Sequence, residues 1–191
     1  TRRSSDLSAD DAIGYIKKTM SGDVMNIKKI RVDKEGAGMG WGAVYAQYLE
    51  SMDQISGQGN GLSVSRQLYK GDEALNESAP LKVGDKITVR LTIKADRDMD
   101  FVQIKDDRAA CMEPLQAVSG FRWSNGLGYY QATKDASTQF FIDQMRKGTY
   151  VIEYQVYVNR TGEYQAGIAT VQSAYAPEFG GHTGGYRVMV E

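Results

Sequence analysis

Side-chain catalysis needs a nucleophile, a base and a group to orient them, and this 191-residue chain holds one histidine and one cysteine from which to build such a set. His182 lies in Gly180-Gly-His-Thr-Gly-Gly185, with no serine, cysteine or carboxylate beside it. Cys111 lies in Ala109-Ala-Cys111-Met-Glu113-Pro114. An internal thioester would need a glutamine acyl donor three residues beyond the cysteine, and Pro114 stands there instead. The thiol reads as a small buried hydrophobe. No residue is expected to be catalytic, and none to bind a cofactor.

Metal binding fares no better, because a zinc site needs several convergent His, Cys or carboxylate ligands. Asp96, Asp98, Asp100, Asp106 and Asp107 do cluster around one hairpin, but Lys94, Arg97, Lys105 and Arg108 are interleaved with them. That mixture reads as a salt-laced, solvated turn rather than a calcium loop. The segment Phe121-Arg-Trp123-Ser-Asn-Gly-Leu-Gly-Tyr129-Tyr130 offers a different chemistry. Trp123, Tyr129 and Tyr130 could form an exposed platform for a sugar ring, giving a carbohydrate-binding or adhesion module. Equally, they could close one end of a core, the commoner fate of bulky aromatics.

The elements that must position these residues read as strands. In Lys86–Lys94 every odd position is apolar and every even one polar. Tyr150–Val158 alternates in the same way, with Tyr150, Ile152, Tyr154, Val156 and Val158 on one face. Period two of this quality marks half-buried antiparallel strands. Further strands are expected over 62–69, 98–105, 128–133, 138–143, 163–173 and 186–190. Ile87, Val89, Leu91 and Ile93 should share a core with Tyr150, Ile152, Tyr154 and Val156. Twenty-one glycines against three prolines fit many tight turns. The expected fold is all-β: an antiparallel β-sandwich of macroglobulin or immunoglobulin-like type over residues 60–191.

Ahead of it, residues 1–55 read as a small β-rich remnant of another domain. One short helix is expected within 1–22 and a hairpin strand over 27–32. Trp41–Leu49 fits both a helix and a strand, with the strand favoured. Residues 53–61 are small, polar and glycine-dense, as linkers are. The chain opens Thr1-Arg-Arg without Met, as a mature domain or a piece of a longer polypeptide would. A net charge of −1 gives no electrostatic basis for nucleic-acid binding. No apolar run approaches the ~20 residues of a membrane-spanning helix, so direct membrane insertion is not expected. One cysteine rules out an intrachain disulfide.

The order of these segments resembles the C-terminal end of bacterial alpha-2-macroglobulin proteins. Gly148-Thr-Tyr-Val-Ile-Glu-Tyr, Thr161-Gly-Glu-Tyr164 and Tyr175-Ala-Pro-Glu178 match best. Leu62-Ser-Val-Ser-Arg-Gln-Leu-Tyr69 followed by Leu81-Lys-Val-Gly-Asp85 is similar to the opening of the family's last macroglobulin-type sandwich. Trp41-Gly-Ala-Val-Tyr-Ala-Gln-Tyr resembles a strand of the region beside its thioester domain. Arg108-Ala-Ala-Cys-Met departs from the family's usual Pro-Ala-Gly turn. The resemblance implies a non-catalytic module of a protease trap in the periplasm or cell envelope, with a lipoprotein parent among the forms it allows. Its partners would be other domains of the parent, the thioester domain above all, and target proteases through the full-length protein. Tyr175, with Pro177 stiffening its loop and Glu178 beside it, is the expected docking contact.

Overall fold

Alternating apolar and polar residues build nearly every element of this chain. The computed structural model describes residues 16–21, 27–45, 47, 49–76 and 79–191. It divides into two units, Thr1–Gln47 and Tyr48–Glu191. The second begins with a 3-10 turn, Met52–Gln54, and continues with fourteen strands. In chain order these are β1 (Gln58–Asn60), β2 (Leu62–Lys70), β3 (Glu73–Ala74), β4 (Lys86–Ala95), β5 (Met99–Asp107), β6 (Met112–Pro114) and β7 (Gly120–Ser124). The rest are β8 (Leu127–Thr133), β9 (Ser137–Met145), β10 (Gly148–Val158), β11 (Gly162–Ala166), β12 (Ala169–Ser173), β13 (Gly180–His182) and β14 (Tyr186–Val190).

All strand pairs are antiparallel, and eleven strands follow one path, β6-β10-β4-β2-β1-β13-β12-β5-β9-β8-β7, with β3 appended to β2 as the twelfth of that sheet. β11 and β14 pair separately. The path folds on itself as a sandwich. β2, β4 and β10 form one layer, β5, β8, β9 and β12 the other, and the short β1 and β13 make the corner. Contacts across the layers show this: the Phe140 ring of β9 meets Tyr154 of β10 at 5.9 Å.

The core residues expected on β4 and β10 are buried, apart from Tyr150 at one edge of the core. They lie side by side rather than face to face, because the two strands are hydrogen-bonded neighbours with Val89 opposite Tyr154 and Leu91 opposite Ile152. The opposing wall comes from Val102, Ile104, Phe140 and Ile142. Burying side chains of this size contributes about 1.5–3 kcal/mol each. The expected strand 163–173 is two strands in separate sheets, broken at Gly167-Ile168.

Residues 53–61 are not a loose tether but part of the sandwich. Asp53 pairs with Arg187 at 2.9 Å, and Gly185 N–H donates to Ile55 O at 3.1 Å. Gly59 is there for space: a Cβ would stand 2.6 Å from Leu62 O. The described residues of 27–32 and 41–49 form no strand, and the expected hairpin is not found among them. Trp41, Tyr45 and Leu49 are 91%, 92% and 103% exposed. An alternating pattern folds only against a second apolar face, and none among the described residues covers these three. The short helix expected within 1–22 falls largely outside the described residues.

Candidate docking loop and the buried charge cluster

The Tyr175 loop leaves β12 and returns at β13, and its backbone is fixed from three sides. Ser173 N–H donates to Phe179 O at 3.0 Å, and Phe179 N–H to Ala176 O at 2.9 Å. Gln172 Nε2 donates to Pro177 O at 3.2 Å, and Asn60 Nδ2 to Glu178 O at 2.8 Å. The Arg97 guanidinium lies 4.5 Å from the centre of the Phe179 ring. Tyr175, at the tip, is 79% exposed. Pro177 and Glu178 are exposed beside it, so all three expected docking residues sit on one surface loop.

Phe101 supports this tip, and sequence reading missed it. Its φ of +53° lies in the left-handed region, an outlier for a bulky side chain. The β5–β9 ladder is interrupted at this point: it runs Asp100–Gln144 and then Val102–Ile142, with Phe101 unpaired and no residue inserted on either strand. The Phe101 ring stands edge-on to Tyr175, with centroids 5.2 Å apart. Its carbonyl accepts from Ala174 N–H at 2.9 Å.

The expected aromatic platform is divided by the sheet. Adjacent residues of a strand point to opposite faces, so Tyr129 and Tyr130 cannot share one. Tyr129 packs inward on Phe140 at 5.7 Å and is buried. Tyr130 instead joins Phe121, edge-on at 5.1 Å, on the outer face. Trp123 lies beside them, its indole close over Gly128, where a Cβ would meet ring carbons at 2.9 Å. Trp123 and Tyr130 are therefore together on the surface, and Tyr129 is not with them.

The densest electrostatics lie inside the sandwich, where Asp106 of the acidic run meets Arg66, a residue that sequence reading did not single out. Arg66 occupies the inward face of β2 with Leu62, Val64 and Leu68, and Asp106 the inward face of β5 with Val102 and Ile104. Arg66 Nη1 meets Asp106 Oδ1 at 2.5 Å, with side chains 5% and 1% exposed. Tyr154 donates its hydroxyl to Asp106 Oδ2 at 2.8 Å. Arg66 Nη2 donates to Gly167 O, and its guanidinium stands 4.6 Å from the Tyr186 ring centre. Both Asp106 oxygens are thus satisfied from the opposite layer.

Burial pushes the Asp106 carboxyl up from its ordinary value, against the opposing pull of Arg66 and of the Tyr154 hydroxyl. Burial also raises the Tyr154 phenol well above its usual range, and Tyr186 to about 12. Asp106 therefore corrects the reading of that acidic run as wholly solvated. Asp96–Arg97 and Lys105–Asp107 do form partly exposed pairs there. Among the described residues, no group of His, Cys, Asp and Glu could hold a metal ion. No helix among them is long and apolar enough to cross a membrane. Cys111 is buried, and burial pushes its thiol up, away from the reactive thiolate.

The class is that of an all-β, antiparallel sandwich domain, with an inward charge cluster and an exposed, braced loop. The chain belongs to the bacterial alpha-2-macroglobulin MG10 domain family, whose model matches residues 61–178. It is similar in fold to Salmonella alpha-2-macroglobulin reacted with methylamine: TM-score 0.58, 19% identity, covering 71% of this chain and 10% of that one. A crystal structure of native Escherichia coli alpha-2-macroglobulin, from domain MG7 to the C-terminus, gives a TM-score of 0.60 at 16% identity, covering 71% and 24%. The Escherichia coli protein activated by porcine elastase gives 0.61 at 15% identity, covering 72% and 14%. Among curated proteins, "Circularly permutated Ras protein 2" of Dictyostelium discoideum is 28% identical over 138 residues, which is 69% of this chain and 4% of that protein. The chain thus spans a small part of each of these proteins.

Proposed function

We propose that this chain is a non-catalytic interaction module of a bacterial endopeptidase inhibitor. In the parent protein it packs on the thioester domain through the Tyr175 loop and helps keep water and amines away from it until a protease acts. The observation that carries this reading is the tip itself. A large aromatic is held almost wholly in solvent on a loop with a fixed backbone, and a strained neighbour orients its ring. Pre-ordering of this kind lowers the entropic cost of docking. Residues 1–47, with Trp41 and Tyr45 uncovered, belong on this reading to a neighbouring domain whose strands lie elsewhere in the parent. The site of action would be the periplasm or cell envelope.

The test is Tyr175→Ala in the full-length parent. Removing the docked ring should speed thiol release by methylamine at least tenfold, while the melting temperature of the 191-residue chain falls by no more than about 5 °C, the worth of the lost edge-on contact with Phe101. An unchanged methylamine rate would dismiss the docking role.

A further inference from the structure

β2 is bonded along one side only. Asp96 N–H donates to Gly61 O. In the β2–β4 register, which pairs Leu62 with Ala95 and Ser63 with Lys94, odd-numbered residues of β2 therefore turn their main-chain groups to β4. Even-numbered residues turn theirs the other way. On that side β1 meets β2 only at Leu62, and β3 only at Tyr69 and Lys70. Leu68 O is taken by Leu75 N–H. Among the described residues, the N–H and C=O of Val64 and Arg66 have no main-chain partner there.

β14 stands across the gap with the same deficiency. Leu81 N–H donates to Met189 O, and Glu191 N–H to Leu81 O. Odd-numbered residues of β14 therefore face this side, while its even-numbered residues face β11. Leu81 fills one end of the gap and Gly185, bonded to Ile55 O, closes the other. Arg187 lies between them, and its N–H and C=O have no main-chain partner on this side among the described residues. The space between the two edges is a groove of about 310 Å³, lined by the run Val64–Leu68 and by Leu75, Leu81, Arg187 and Val188.

Two unpaired strand edges facing one groove have the form of a sheet lacking one strand, and exposed edges recruit strands. We infer that this groove receives an extended segment of the parent polypeptide from outside these 191 residues, which bonds to Val64 and Arg66 on one side and Arg187 on the other. Its inward side chains are small and apolar, to sit on Val64, Leu68 and Val188. Its outward ones are polar, level with the exposed Ser65 and Gln67. The parent supplies ample chain for this, because the domain makes up only 10–24% of the alpha-2-macroglobulin structures it resembles. Insertion would join the β11–β14 pair to the twelve-strand sheet. Tyr175 does not line the groove, so this site stands or falls separately from the docking loop.

Single-amide hydrogen exchange on the 191-residue chain and on the full-length parent tests the inference. Val64, Arg66 and Arg187 amides should exchange at least tenfold more slowly in the parent. Arg187→Pro removes one donor from the groove and spares the β11 ladder, since that amide does not face β11. In the parent it should return Val64 and Arg66 towards their rates in the 191-residue chain, whereas Arg187→Ala, which keeps the amide, should leave them protected. The idea fails if the three amides exchange equally fast in both proteins. It fails if they are already protected in the shorter chain. It also fails if the proline and alanine variants behave alike.

Discussion

Arg66→Met isolates what the buried charge cluster contributes. The substitution keeps an unbranched side chain of similar reach, so packing is largely preserved, but it removes Asp106's only counter-ion on the opposite layer. Asp106 is 1% exposed. Its ionised carboxylate would then keep one hydrogen bond, from Tyr154. Stripping one partner from a buried ion pair costs about 3–5 kcal/mol, because the charge left behind is uncompensated. Gly167 O also loses its donor, at about 1 kcal/mol, so the upper half of that range is expected. The folded unit has roughly 140 residues. At an unfolding entropy of about 2.1 cal/mol/K per residue, 3–5 kcal/mol lowers the melting temperature by about 10–16 °C.

The sign of the pH dependence separates a charge effect from a packing effect. Burial already raises Asp106 above its unfolded value, and without Arg66 nothing comparable opposes that. A carboxyl raised on folding contributes stability below its unfolded pKa and loses it as the pH climbs through the folded one. The variant's deficit should therefore shrink when the pH is lowered from 8 to 5. Urea unfolding followed by circular dichroism at both pH values measures this. Arg66→Met combined with Asp106→Leu should recover at least half of the loss, since an apolar pair replaces an ionic one at little cost. A deficit below about 1 kcal/mol, or one that is the same at both pH values, would refute the argument.

Two further outcomes can be measured on the same chain. Tyr186 is raised to about 12 by burial, so the stability its neutral form contributes is intact below pH 10 and lost as the pH rises through 12. Over that interval unfolding should become easier by up to about 3 kcal/mol. Tyr186→Phe, which keeps the ring and cannot ionise, should flatten that loss, and an equally steep loss in the variant would contradict this. Phe101→Gly relieves a left-handed φ worth about 1–2 kcal/mol and gives up an aromatic contact worth about 0.5–1.5 kcal/mol. Its urea midpoint should barely move, whereas Phe101→Val, β-branched in the same conformation, should unfold at clearly lower urea.

Much of the fold was written in alternation, and the misses follow from what alternation leaves out. β4 and β10 were legible because each buries a single face, and period two then names that face without reference to anything distant. The hairpin of β7 and β8 had its own signal in Asn125-Gly126. Both residues adopt positive φ, +50° and +79°, as a two-residue hairpin turn requires. Reading Phe121–Tyr130 as a flat platform overlooked that Tyr129 and Tyr130 must point apart. In the first unit the pattern was present but its partner was not. Trp41–Leu49 has an apolar face, and nothing among the described residues of this chain covers it.

Arg66 and Asp106 show the same principle from the other side. Each sits at a position where alternation calls for an apolar residue: Leu62, Val64, Arg66, Leu68 on one strand and Val102, Ile104, Asp106 on another. One charge on an inward face contradicts the pattern, but two such charges on different strands imply a pair, since neither could be buried alone. The sequence therefore held the signal that β2 packs over β5. It could not hold the register that brings residue 66 onto residue 106, because the thirty-nine intervening residues and the corner strands β1 and β13 set that. An apolar pair would have held the two layers as firmly. The ionic one, with both carboxylate oxygens and both guanidinium ends engaged, is satisfied in a single alignment of the layers. Sliding β2 by two residues would leave its inward face still mostly apolar but would strand both charges. The cluster thus fixes the register of the scaffold that carries both the Tyr175 loop and the unfilled edge of β2.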